Sequence, residues 1–258
     1  MFRWLRIADG SPRVVRLARG NLATWDAEAL AVSANPYLEG VSRASHWRFA
    51  GRLNADGAVR EAGGRTLERA AARLSAAIGR PLKVGTAVAS DAGRSLQARW
   101  VVHCIAPDAL VPPEDAYTAP GMYHMDCAAY EEHAAALLQR TIAAAIATAS
   151  ATGARSLALP AIGCGIRGFD PESAGAAAFS AAAQWLRDGN TTSSSRLRRI
   201  DFVVYSDAVW ARWPAAAEYY LGSPDPGETR GADMHSWSWI RGMPVYKQAT
   251  ARASLLER

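Results

Sequence analysis

The chain of 258 residues is 50% hydrophobic and 21% charged, which excludes disorder throughout and is enough to bury a core without disulfide or metal staples. All but two of its 29 basic residues are arginine, Lys83 and Lys247 being the exceptions. With abundant alanine this marks a GC-rich coding bias, so the net charge of +5 favours an anionic ligand without demonstrating a nucleic-acid partner.

The segment Met1–Asp9 carries Phe2, Trp4, Leu5 and Ile7, interrupted by Arg3, Arg6 and Asp9; with no apolar stretch behind it, no secretory signal is expected. Strand-like and helix-like runs then alternate, which predicts an α/β layered fold. Arg13–Leu17 reads as the first strand, and Ala29–Ser33 as a second that ends at Asn35-Pro36. Ala58–Ile78 has helical spacing broken at Gly63-Gly64. Thr86–Ala89 and Arg99–Ile105 read as strands, followed by a loop from Pro107 to Gly121. Asp126–Ser150 reads as one long helix; its alanine-rich part is the closest thing to a membrane span, but Gln139, Arg140 and repeated Thr and Ser make it a buried or half-buried helix. Ser156–Ile162 is a buried strand and Pro171–Leu186 a helix with Asp170 as its N-cap. Arg199–Tyr205 is the last strand and Asp207–Leu221 the last helix. Residues 222–258 change composition, show no period, and read as a flexible tail outside the core, in which Trp237, Trp239 and Ile240 offer docking groups. The three cysteines, Cys104, Cys127 and Cys164, are too scattered for a disulfide framework and fit a reducing compartment.

The strongest local signal is Pro160-Ala-Ile-Gly-Cys-Gly-Ile-Arg-Gly-Phe-Asp-Pro171. A buried strand runs into a glycine loop and then a helix, which gathers backbone N–H groups and suits a phosphate. Gly163–Gly168 also matches Gly-x-Gly-x-x-Gly, but the loop follows a late strand and Phe169-Asp170 intervene before the helix, a poor context for a dinucleotide fingerprint. Cys164 at the loop tip has no adjacent histidine to activate it.

Taken with three further segments, this loop resembles the macrodomain family of ADP-ribose-binding proteins. Gly20-Asn21-Leu22 is similar to the family's Gly-Asp-Ile. Glu28–Asn35 is similar to its strand ending in Asn-Ala-Ala-Asn. Asn54-Ala-Asp-Gly-Ala-Val-Arg-Glu-Ala-Gly63 is similar to Val-Asp-Gly-Ala-Ile-His-Arg-Ala-Ala-Gly, and Arg99–Pro107 to Tyr-Val-Ile-His-Thr-Val-Gly-Pro. The order of all segments agrees. The resemblance implies a three-layer α-β-α fold with a mixed central sheet over residues 1–221, with an inserted loop at 39–53. It implies Asn35 on the ribose nearest the scissile bond and Asp56 as the carboxylate hydrolytic members use there. It places Asn21 and Leu22 at the adenine, and Asn54 and Gly57 at the opening of a ligand-facing helix. The amides of Gly163, Cys164, Gly165 and Ile166 would wrap the diphosphate, with Arg167 beside it and Tyr205 or Phe169 as an aromatic face.

Three departures bear on function. Asn21 replaces an aspartate, Arg167 stands where an aromatic is common, and the spacing from Asn35 to Asp56 is roughly double the family's, with Arg43, His46, Trp47, Arg48 and Arg52 in the insert. His103 lies mid-strand as a core histidine. His124, Cys127 and His133 lack the closed four-ligand pattern of a zinc site, so no metal and no cofactor is expected. The primary reading is an ADP-ribose-binding domain that hydrolyses an ADP-ribosyl linkage on protein or O-acyl-ADP-ribose. A non-catalytic reader and another nucleotide- or NAD-binding α/β enzyme remain as alternatives. The expected partner is ADP-ribose or an ADP-ribosylated protein, with no membrane or nucleic acid, for a monomer inside the cell, in cytoplasm or nucleus.

Overall fold

The computed structural model describes residues 2–8, 11–40, 54–109, 127–187 and 196–222. The predicted tail from residue 223 onward and nearly all of the insert, 41–53, lie outside these residues. The apolar runs form seven strands: β1 Phe2–Ala8, β2 Ser11–Arg19, β3 Ala29–Ser33, β4 Ala87–Asp91, β5 Trp100–Cys104, β6 Ser156–Leu159 and β7 Arg199–Val204. Five helices join them: α1 Ala55–Ile78, α2 Cys127–Ala151, α3 Pro171–Arg187, α4 Asp207–Trp210 and α5 Trp213–Leu221.

The strands make one sheet in the order β1-β2-β7-β6-β3-β5-β4. The five central strands are parallel, and β1 and β4 run antiparallel at the two edges. Parallel strands need crossover connections, and the helices that supply them cover both faces. α2, α3 and α5 share one core with Leu138, Phe179, Phe202 and Trp213; α1 covers the other face through Val59 and Leu67. This bears out the mixed sheet in three layers.

Three differences from the expected elements have a clear local cause. β1 was not expected; it pairs antiparallel with β2, Phe2 opposite Leu17 and Ala8 opposite Ser11. α1 starts at Ala55 because Asn54 caps it, and it bends at Gly64 (φ 55°) where the glycine pair interrupts the spacing. The last helix is two, α4 and α5, because Pro214 enters the first turn of a new helix.

α2 contains the one segment among the described residues, Tyr130–Ala151, that is long and apolar enough to cross a membrane. Its Tyr130, Ala134, Leu138, Ile142, Ala145 and Ala149 lie in the core instead, at helical spacing. Trp213 is fully buried, sits edge-on to Phe179 and Phe202 at ring-centroid distances of 5.3 and 5.8 Å, and donates its indole N–H to the Pro171 carbonyl at 2.9 Å. It therefore fixes the start of α3 against α5. Trp213→Ala is expected to cost about 3–5 kcal/mol, read as a lowered midpoint in urea unfolding with an unchanged slope.

Candidate functional site

Because five strands are parallel, their carboxyl ends open along one edge of the sheet, the edge at which α/β folds bind ligands. Four segments singled out in the sequence emerge there: Gly20-Asn21 after β2, Tyr205 after β7, Pro160–Asp170 after β6 and Ala34-Asn35 after β3. Of the four large hydrophobic side chains exposed among the described residues, Ile166 and Tyr205 belong to these segments and Tyr37 lies two residues beyond Asn35.

The loop after β6 is built by its own hydrogen bonds. Cys164 N–H donates to the Ala161 carbonyl at 3.1 Å, Gly168 N–H to Gly165 at 3.1 Å and Phe169 N–H to Gly163 at 3.1 Å. Gly163 has φ +99°, and a Cβ there would fall 2.9 Å from Leu138, so only glycine fits. The amides of Gly165, Ile166 and Arg167 find no acceptor among the described residues. The run available to an anion is thus 165–167; Cys164 was expected in it, but its amide is spent on the loop's own turn. Asp170 accepts from Glu172 and Ser173 N–H, the cap expected for α3.

Two side chains of this loop are not where the sequence reading put them. Arg167 is half-buried and its charge is paired: it meets Asp108 at 2.9 Å and donates to the Ala34 carbonyl at 3.2 Å, lashing the loop to the ends of β5 and β3. Phe169 is buried in the core against α2 and α3, so it presents no aromatic face. Tyr205, 79% exposed, is the aromatic that remains.

Asn21 stands beside Tyr205, since Gly20 N–H bonds the Val204 carbonyl. Its side-chain oxygen accepts from Ala23 N–H at 3.0 Å, capping the short 3-10 turn Leu22–Thr24. The Leu22 side chain is in the core, leaving only its backbone at the edge. Beneath this segment lies Trp25, whose indole donates to Asp201 at 2.9 Å; that fully buried carboxylate also takes both nitrogens of the Arg16 fork at 2.6 Å.

At the β3 end, Asn35 organises a turn. Its side-chain oxygen accepts from Tyr37 and Glu39 N–H, and its side-chain nitrogen donates to the Gly40 carbonyl at 2.9 Å. Asn54 caps α1 by accepting from Gly57 N–H at 2.7 Å, so the Gly57 amide expected to face a phosphate is occupied. Asp56 is only 2% exposed; both its oxygens lie 3.1 Å from Arg60 Nε, and burial pushes its carboxyl above the usual range against the pull of that arginine. Arg60 went unnoticed in the sequence, although four residues beyond Asp56 puts it on the same helical face.

His103 is fully buried on β5, with Nε2 2.9 Å from Ser90 Oγ and Nδ1 without a partner among the described residues. Burial, helped by Arg60, pulls it down to about 3. The Cys164 thiol is pushed up to about 12 by burial and by Asp170, which leaves it protonated and a poor nucleophile. Among the described residues no three His, Cys, Asp or Glu side chains are grouped to hold a metal ion; His124, His46 and the Cys127 side chain lie outside them.

A family model described as the macro domain matches residues 44–178, just over half of the chain. A macro domain-containing protein of Streptomyces griseus is 32% identical over 157 residues, covering 60% of this chain and 71% of the relative. One from Streptomyces coelicolor is 26% identical over 202 residues, covering 78% and 96%. Among solved structures, an Oceanobacillus iheyensis macrodomain with ADP superposes with a TM-score of 0.61 at 16% identity, covering 84% of this chain and 95% of that one. A Trypanosoma brucei macrodomain in complex with ADP-ribose gives 0.56 at 16% identity, covering 77% and 67%.

The buried His103 provides a test of the packing behind the site. Its folded pKa lies below the ordinary histidine value of 6.5, so between the two the unfolded chain binds a proton that the folded chain does not. The stability it contributes is complete above that value and falls as pH drops. Lowering the pH from about 7 to about 4.5 should cost about 2 kcal/mol through this group alone; urea unfolding should show that share of the loss missing in His103→Gln.

Proposed function

The chain belongs to the macro domain family, and from that premise we propose that the edge formed by β2, β7, β6 and β3 binds ADP-ribose, free or carried on a modified protein. The observation that carries this is the run of three amides, Gly165 to Arg167, after β6, which have no acceptor among the described residues. Convergent backbone N–H groups suit a diphosphate. The strand order supports the rest of the layout. On one side of the phosphate loop stands β7 with the exposed ring of Tyr205, next to Asn21, which suits a base. On the other stands β3 with the Asn35 turn and the Asp56–Arg60 pair, which leaves the distal ribose there.

Binding without hydrolysis is the reading this geometry favours. A general base must reach the proton it takes, and Asp56 is buried with both oxygens on Arg60. One observation favours the hydrolytic reading: burial raises the Asp56 pKa, as is common for general bases. Calorimetry should show ADP-ribose binding that Tyr205→Ala weakens about tenfold, the loss of one stacked base. Incubating mono-ADP-ribosylated protein with stoichiometric domain should release no more ADP-ribose than incubation with Asp56→Asn. Release that only the wild type supports would transfer the conclusion to hydrolysis.

A further inference from the structure

Nothing in the chain order couples Asn35 to Asp56. The structure holds them together through one side chain. Arg60, at 11% exposure, turns its Nε to both oxygens of Asp56 at 3.1 Å and its Nη2 to the Leu38 carbonyl at 2.8 Å. Leu38 is the single non-glycine residue with positive φ (59°) among the described residues, while its side chain is buried with Ala34, Ala71 and Ile105. A leucine holds such a backbone only where its surroundings over-determine it. The guanidinium satisfies its carbonyl on one side, and the Asn35 side chain ties Tyr37, Glu39 and Gly40 on the other. Gly40 has φ +78°, and a Cβ there would lie 2.7 Å from Arg60 Nε, so the turn passes directly against the guanidinium.

Burying a guanidinium and a carboxylate is a poor way to gain stability, because desolvation consumes most of their attraction; apolar side chains of the same volume do as well. What the pair provides is a fixed geometry: a planar fork accepts one orientation of its partners, which a lysine does not enforce.

We propose that Arg60 is a positioning residue for the distal-ribose end of the site, holding the Asp56 carboxylate and the Asn35 turn as one rigid unit. The inference rests on the ADP-ribose reading and adds to it a residue that acts on one part of the ligand only. Diphosphate and base lie over β6 and β7; the residues Arg60 braces lie at the end of β3.

ADP and ADP-ribose differ by the distal ribose, so the pair isolates this effect. Calorimetry on Arg60→Met should show ADP-ribose affinity down about tenfold, the scale of one charge-assisted contact, with ADP affinity within about twofold of wild type. Arg60→Lys should fall between, since an ammonium keeps the charge and loses the fork; it also serves if the methionine variant does not fold. ADP binding by each variant reports an intact phosphate loop. Equal losses for ADP and ADP-ribose would make Arg60 a general structural residue and overturn the proposal, as would a loss for neither. A wild type that binds ADP but gains nothing from the distal ribose also overturns it, while leaving a nucleotide site standing. A wild type that binds neither ligand overturns the ADP-ribose reading and the inference with it.

Discussion

Everything at the candidate site follows from five strands running the same way. Parallel neighbours cannot be joined by a tight turn, so each strand is followed by a crossover that leaves the sheet at one edge and returns at the other. The crossovers bury both faces, which is why β3, β5 and β6 are apolar without alternation. The same constraint brings residues as distant in sequence as Asn21, Asn35, Gly165 and Tyr205 to one rim. Strand order alone then sets their sequence along that rim: Asn21 and Tyr205 after β2 and β7, then the β6 loop, then the Asn35 turn after β3.

The polar side chains on this rim mostly build loops. Asn21 caps a 3-10 turn, Asn35 closes the turn to Gly40, and Asn54 caps α1. Asparagine suits each place because its amide copies a backbone group two or three residues on. A side chain committed in this way is held in one conformation, and the backbone around it is held too. The loop after β6 follows the same logic: its internal bonds and the Arg167–Asp108 lashing leave three amides with no acceptor among the described residues. A ligand would meet groups already ordered, so little entropy is left to lose on binding.

The parallel core and the glycine loop were legible in the sequence because their signals are local: continuous apolar runs, Gly-x-Gly spacing, and Asp170-Pro171 ahead of a helix. β1 was not, because Arg3 and Arg6 break the apolar alternation and its pairing partner β2 is what makes it a strand. Phe169 and Tyr205 looked equivalent in the sequence. Only the packing of α2 against the β6 loop buries one and leaves the other at 79% exposure. The contacts of Arg60 and Arg167 escaped for a related reason. Leu38 lies 22 residues from Arg60, and Ala34 lies 133 from Arg167; no spacing rule reaches so far.

The arginine excess gains a definite meaning from these contacts. Arg16, Arg19, Arg60, Arg155, Arg167, Arg199 and Arg212 each pair with a carboxylate, and Arg60 and Arg167, beside the candidate cleft, are among them. Their charges are neutralised before any ligand arrives. An anion at the β6 loop therefore meets oriented N–H dipoles, whose attraction acts over a few ångströms and depends on shape. A free cation would draw any phosphate from further away and be screened by salt. Among the described residues, the proposed anion site at the β6 loop thus rests on oriented amides and not on a free arginine.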